Sequence, residues 1–177
     1  MKNIEVEVRA FIDENKYHQL IDFFTKEAKL IKEDNQTTHY FTWDHDLRIQ
    51  KNDYFSKIRM KKWQIHDDHR EELEIKCDKD DFEKLEQLFL NLWYETEIVW
   101  LRKRYQFDWD GIDVSIDYTK GYGYIIELEL LSTEEDKNNN LEILRKKFAE
   151  LGIAITPKDE FTQKYEFYKQ NWKTLIT

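Results

Sequence analysis

The chain has one cysteine, Cys77, so no internal disulfide can staple it. It has no apolar run long enough for a membrane span, and none near its start that resembles a secretion signal. A soluble, cytoplasmic protein with no membrane partner is the expectation. It also lacks an excess of bases: 28 Lys and Arg stand against 37 Asp and Glu, a net charge of -9. Nucleic acid is therefore not an expected partner, because binding to it without sequence preference needs a basic surface. Glycine numbers 4 and proline 1. Each glycine falls where a turn or a helix end is wanted, and Pro157 precedes the last helical pattern. The only polar low-complexity stretch, Lys137-Asn138-Asn139-Asn140, is too short to link two domains. One domain over residues 1–177, as a monomer or homodimer, is the simplest organisation.

What is present is charge and aromatic surface: 37% and 15% of the residues. Four segments carry apolar residues at helical spacing, over residues 13–28, 80–92, 134–151 and 159–175. Eight others alternate in the manner of strands: a first one around Glu5, then 39–41, 46–50, 54–62, 70–77, 98–107, 112–118 and 124–131. Asp110-Gly111 between two of these reads as a tight hairpin turn. Eight strands suffice to close a barrel.

The alternation is unusual in what it alternates. Glu5-Val6-Glu7-Val8-Arg9 puts two carboxylates and a cation on one face and apolar groups on the other. Glu72-Leu73-Glu74-Ile75-Lys76 and Glu127-Leu128-Glu129-Leu130 repeat the pattern. Arg48, then Lys57, Arg59 and Lys61, then Arg102 and Arg104, then Asp113 and Asp117 occupy the same kind of face on other strands. Amphipathic helices need an apolar sheet face to cover. If they dock outside, the charged faces turn inward, and acids and bases must interleave around water or ligand. The predicted fold is α+β: an eight-stranded antiparallel β-barrel tunnel with a charged interior and helices packed outside. A charged face simply left in solvent satisfies the alternation equally well. A divalent metal together with a phosphate chain is the kind of ligand that such a mixed face suits.

In their order, these motifs resemble the CYTH superfamily, the triphosphate tunnel metalloenzymes, which include class IV adenylate cyclases, thiamine triphosphatases and inorganic triphosphatases. Glu5-x-Glu7-x-Arg9 is similar to the family's E-x-E-x-K strand, and Leu47-Arg48-Ile49-Gln50 to its L-R-I-R. Arg70-Glu71-Glu72-Leu73-Glu74 resembles its R-E-E-x-E strand, Arg102-Lys103-Arg104 its K-x-R pair, and Asp117, Gly121 to Gly123 and Glu127-x-Glu129 its closing segment. Three positions depart from the pattern: Arg9 and Arg102 stand for lysine, and Gln50 for a base.

The resemblance implies a small triphosphate or polyphosphate ligand held with Mg2+ or Mn2+. It implies metal ligation by Glu5, Glu7, Asp117, Glu127 and Glu129, with Glu74 beside them. It implies phosphate binding by Arg9, Arg48, Arg59, Lys61, Arg102 and Arg104, where forked guanidinium donors suit phosphate oxygens. Lys57, Glu72, Lys76 and Asp113 are further candidates. The reaction implied is hydrolysis of the terminal phosphoryl group by Glu5, Glu7, Arg9, Glu127 and Glu129. An adenylate cyclase and a polyphosphate- or nucleotide-binding module without turnover are the alternatives. His66-Asp67-Asp68-His69 reads as a solvated loop, and Trp63, Trp109, Tyr165 and Tyr168 as packing residues.

Overall fold

Strand β1 (Ile4–Ile12) owes its form to β-branched residues on alternate positions, and it buries Val6, Val8 and Ala10 while leaving Glu5 and Glu7 exposed. The computed structural model describes residues 4–61 and 72–177, the side chains of Lys61 and Glu72 excepted. Arg70 and Glu71, the His66 to His69 loop and Trp63 lie outside that range. Helix α1 (Glu14–Glu27) starts where Asp13 accepts a hydrogen bond from the Lys16 backbone N–H at 2.7 Å. There follow β2 (Lys29–Phe41), β3 (Asp46–Lys51), β4 (Ser56–Lys61) and β5 (Glu72–Cys77). After them come α2 (Phe82–Asn91), β6 (Thr96–Trp109), β7 (Ile112–Thr119), β8 (Gly123–Ser132), α3 (Lys137–Glu150) and α4 (Lys158–Leu175).

Among the described residues, eight antiparallel strands form one sheet in the order β1-β8-β7-β6-β2-β3-β4-β5, with four α-helices: an α+β fold. The order has two ends, β1 and β5, where a closed barrel would have none among the described residues. The α+β class and the antiparallel sheet of eight strands agree with the expectation, and the sheet is left open, since alternation carries no information about closure. The strand count holds, and the helices fall where the periodicity put them. Strand β2 is ten residues longer than the 39–41 stretch expected, since it begins at Lys29. Asp34, Gln36, Thr38 and Tyr40 are all buried there. The alternation is real, but its buried members are mostly polar, so hydropathy does not register it. No helix among the described residues is long and apolar enough to cross a membrane.

The chain packs as two units. The first comprises Met1–Glu33, Arg104–Tyr118 and Tyr122–Lys164. Its core joins Val6, Val8 and Ala10 to Ile112, Val114 and Ile116 and to Ile126 and Leu128, under Tyr17, Leu20 and Phe24 of α1 and Leu144 and Phe148 of α3. One sheet face is thus covered by helices, and the charges at alternate positions take the other face. The second unit comprises Asp34–Lys103, Thr119–Gly121 and Tyr165–Thr177. In it Phe41, Leu47 and Ile49 pack against Phe82 of α2. Helix α4 behaves differently from α1, α2 and α3. Within the second unit Tyr168 packs on Trp100 at 4.9 Å and donates a hydrogen bond to the Val99 carbonyl at 2.8 Å. Trp100 shares its face of β6 with Arg102, so a helix here covers part of a charge-bearing face.

Gly121 sits at φ +74°, and a Cβ there would lie 2.5 Å from the Leu175 Cβ. Both the left-handed turn and the close approach of the chain end need glycine at that position.

Candidate functional site

Antiparallel pairing of β1 with β8 sets Glu7 opposite Glu129 and Arg9 opposite Glu127. Side chains of directly opposed residues lie within reach of one another, and like charges so placed repel. Glu7, Glu127 and Glu129 each offer a carboxylate oxygen, and these oxygens all lie within 4.8 Å of one another. Arg9 approaches Glu7 at 3.7 Å and stacks over the Phe161 ring at 4.4 Å. The Glu7 carboxyl is pushed up from 4.5 to about 8, chiefly by the Glu127 charge and then by burial, against the lowering effect of Arg9. The Glu7 side chain is 42% exposed, so solvent tempers this repulsion without reversing it.

Three hard oxygen donors, one of them a carboxyl that its neighbours keep from ionising, are the chemistry a divalent cation such as Mg2+ or Mn2+ suits. The trio therefore fits the metal that the family resemblance implies. Glu5, exposed and opposite Leu131, lies outside the trio. So does Asp113, which is exposed on β7. Asp117 is also outside it and is held elsewhere. It is 4% exposed, and its two oxygens accept from Arg104 Nε at 2.7 Å and Nη2 at 2.6 Å.

In the second unit the bases form a row across β3, β4 and β5. Register places Arg48 opposite Arg59, Arg59 opposite Glu74, Gln50 opposite Lys57, and Lys57 opposite Lys76. Facing cations repel unless acids are interleaved, and Glu74 is the interleaved acid. It accepts from Lys57 at 2.7 Å and lies 4.0 Å from Arg59. Lys76 stacks on Phe55 at 4.9 Å, and Arg102 on Trp100 at 5.7 Å. Arg48 donates to Tyr40 Oη at 2.7 Å and to the buried Asp46 carboxylate at 3.1 Å, and its guanidinium lies 5.0 Å from the Tyr40 ring centre. Gln50 donates its amide to Gln36 at 3.0 Å and to Thr38 at 3.2 Å. Its N–H groups thus complete a buried polar network on β2 where a base would have brought charge. The side chains of Lys61 and Glu72 lie outside the described set.

Sequence reasoning passed over three residues: Asp46 and Tyr40, which hold Arg48, and Phe161, which supports Arg9. Asp46 stands two positions before Arg48 and so shares its strand face, a signal open to reading. Tyr40 and Phe161 reach their partners only through register and helix docking, which leave no local trace. Tyr165 and Tyr168 are buried, as packing residues are, and burial raises the phenol pKa of each, that of Tyr168 to about 12.

No protein-family model and no curated protein matches the chain. Solved structures do. The PH1012 protein from Pyrococcus horikoshii is 20% identical with a TM-score of 0.71, over 88% of this chain and 96% of that one. A candidate adenylate cyclase from Vibrio parahaemolyticus is 14% identical with a TM-score of 0.68, over 91% and 98%. HpAC1 from Hippeastrum, described as an adenylyl cyclase candidate with a dominant triphosphatase activity, is 17% identical with a TM-score of 0.63, over 89% and 93%. At such identities the likeness is one of fold, and at that level it agrees with the CYTH resemblance read from the motifs.

Proposed function

We propose that the chain is a divalent-metal-dependent triphosphatase acting on inorganic triphosphate or a small organic triphosphate. The observation that carries this reading is the trio of Glu7, Glu127 and Glu129, opposed across β1 and β8 with Arg9 beside it. The ordered motifs and the fold shared with HpAC1 support it. Glu7, Glu127 and Glu129 would hold Mg2+ or Mn2+, with Glu5 as an outer carboxylate. The metal, when bound, supplies charge neutralisation on phosphate oxygens and a more acidic water.

Hydrolysis forms a bond from water oxygen to the terminal phosphorus and breaks the bond from that phosphorus to the bridging oxygen. The leaving diphosphate keeps that electron pair, and the proton of the attacking water passes to a carboxylate or to solvent. Glutamates of the trio orient the attacking water and take up its proton. Arg9, kept in place by Glu7 and Phe161, stabilises charge on the phosphate oxygens. Arg104 in the same unit makes a second such contact. Arg48, Arg59, Lys61 and Arg102 carry the phosphate-binding role that the resemblance gives them. Lys57 and Lys76 serve as lesser cations, with Glu74 balancing Lys57, and Glu72 and Asp113 are further acidic candidates.

The test is phosphate release from inorganic triphosphate, ATP and thiamine triphosphate, with Mg2+ and then Mn2+. Metal-dependent release that Glu7→Gln abolishes is the expected result. Cyclic AMP formed from ATP would move the protein to the cyclases. Tight ligand binding with no turnover would make it a binding module.

A further inference from the structure

Of the charged side chains of the first unit on the sheet face turned away from its helix-covered core, six matter here. They are Glu7 and Arg9 on β1, Glu127 and Glu129 on β8, Asp117 on β7 and Arg104 on β6. Each follows from alternation: the residues beside them in sequence, such as Val8, Leu128, Ile116 and Tyr105, belong to or pack against the core. Strand order runs β1, β8, β7, β6, so Asp117 stands between the acidic trio and Arg104. Its geometry is a fork closed on Arg104. Both of its oxygens are engaged by Arg104, at 2.7 Å and 2.6 Å, in a bidentate charge-assisted pair. It is not among the carboxylates that gather within 4.8 Å.

We infer that Asp117 is the positioning residue of Arg104 and not a metal ligand in this chain. The inference rests on the triphosphatase reading, in which Arg104 contacts phosphate, and it reverses the metal-binding role that the family resemblance gives Asp117. The physical ground is competition for one carboxylate. Asp117 is 4% exposed, and the Arg104 side chain 19%. Turning the carboxylate to a metal would strip a half-buried guanidinium of a forked partner that water replaces poorly. Leaving it in place keeps the guanidinium plane in one orientation, which is what a phosphate contact needs. The trio meanwhile supplies three oxygen donors, enough for a cation that retains waters.

The experiment uses the full chain and two probes, Mn2+ alone and inorganic triphosphate with Mg2+. Mn2+ uptake is followed by the spin-resonance signal of the free ion, and triphosphate binding by calorimetry. Asp117→Asn, which cannot accept from both guanidinium nitrogens, is expected to leave Mn2+ affinity within about threefold, whereas Glu127→Gln loses about tenfold or more. Asp117→Asn is expected to weaken triphosphate binding about tenfold and to raise KM with less change in kcat. Arg104→Lys should do the same. The double variant should be no worse than either single one, because residues acting through one contact are not additive. Asp117→Glu keeps a carboxylate and serves as the second variant should the amide destabilise the fold. It too should retain Mn2+ and lose triphosphate affinity.

Loss of Mn2+ binding by Asp117→Asn or Asp117→Glu on the scale of Glu127→Gln would overturn the inference, as would effects of Asp117→Asn and Arg104→Lys that multiply. A wild-type chain that takes up neither probe would overturn the triphosphatase reading itself, and the positioning role with it. A wild type that binds both probes separates the two failures.

Discussion

The acidic strands and the basic strands of this molecule handle like charge in opposite ways. On β1 and β8, Glu7 faces Glu129 across the ladder with Glu127 close by, and Arg9 is the cation set beside them. The cost appears as a carboxyl that holds its proton far above the ordinary range. On β3, β4 and β5 the facing cations are interleaved with an acid or set on a ring. Arg48 has Asp46 and Tyr40, Lys57 and Arg59 have Glu74, and Lys76 has Phe55. In the proposed reading, the region that repels itself takes an added cation, and the region of cations held by protein groups meets an anion with its side chains already ordered.

Four substitutions and a change of pH probe the two regions and the cores beneath them. The largest effect is expected on stability. Phe148→Ala, in the first unit, should lower the free energy of unfolding by about 3–5 kcal/mol, measured by urea denaturation. Phe82→Ala, buried in the second unit, should also destabilise, and a variant of either kind that kept full stability would mean that its ring is not part of a packed core.

Glu127→Gln should reduce metal-dependent turnover about a hundredfold or more, since it removes both a metal donor and the charge that perturbs Glu7. If turnover survives, the acidic strands are not the metal centre. Next in size is Arg48→Ala, which should weaken triphosphate binding about tenfold without changing Mn2+ affinity. A parallel loss of Mn2+ would mean that Arg48 does not act on phosphate alone.

The smallest effect is on stability as pH changes. Glu7 has a folded pKa of about 8 against an ordinary 4.5. A raised pKa means that the folded state holds the proton more tightly than the unfolded chain does. Its stabilising contribution is therefore complete below pH 4.5 and is lost as pH rises through about 8. The thermal midpoint of the metal-free wild type, measured against Glu7→Gln, should drift downward across that window, and Mg2+ should flatten the drift. A difference that rises with pH would mean that Glu7 is stabilised as an anion. The drift is expected to be modest, because solvent reaches much of the Glu7 side chain.

Much of this arrangement was open to reading in the chain, because strand alternation and helix periodicity are local. Val6 and Val8 had to face one way and Glu7 and Arg9 the other, wherever β1 paired. The same holds for Leu128 between Glu127 and Glu129. Residues 29–38 were missed for a physical reason: the side chains that β2 buries there are Asp34, Gln36 and Thr38, and their burial is sustained by bonds within the network, not by hydropathy. The ends of the ladder order were equally out of reach.

By itself, then, the sequence determined which side chains share a strand face and how many charges each face must accommodate, since both follow from the two-residue period of extended backbone. Only the tertiary structure decided which charges meet. Arg104 closes on Asp117, Arg48 on Tyr40, and Glu7 on Glu127 and Glu129, because register between paired strands is set by hydrogen-bonded ladders and by cores packed on the opposite face. An ion pair or a metal centre is an affair of a few ångströms, and distances of that kind exist only after those ladders and cores have formed.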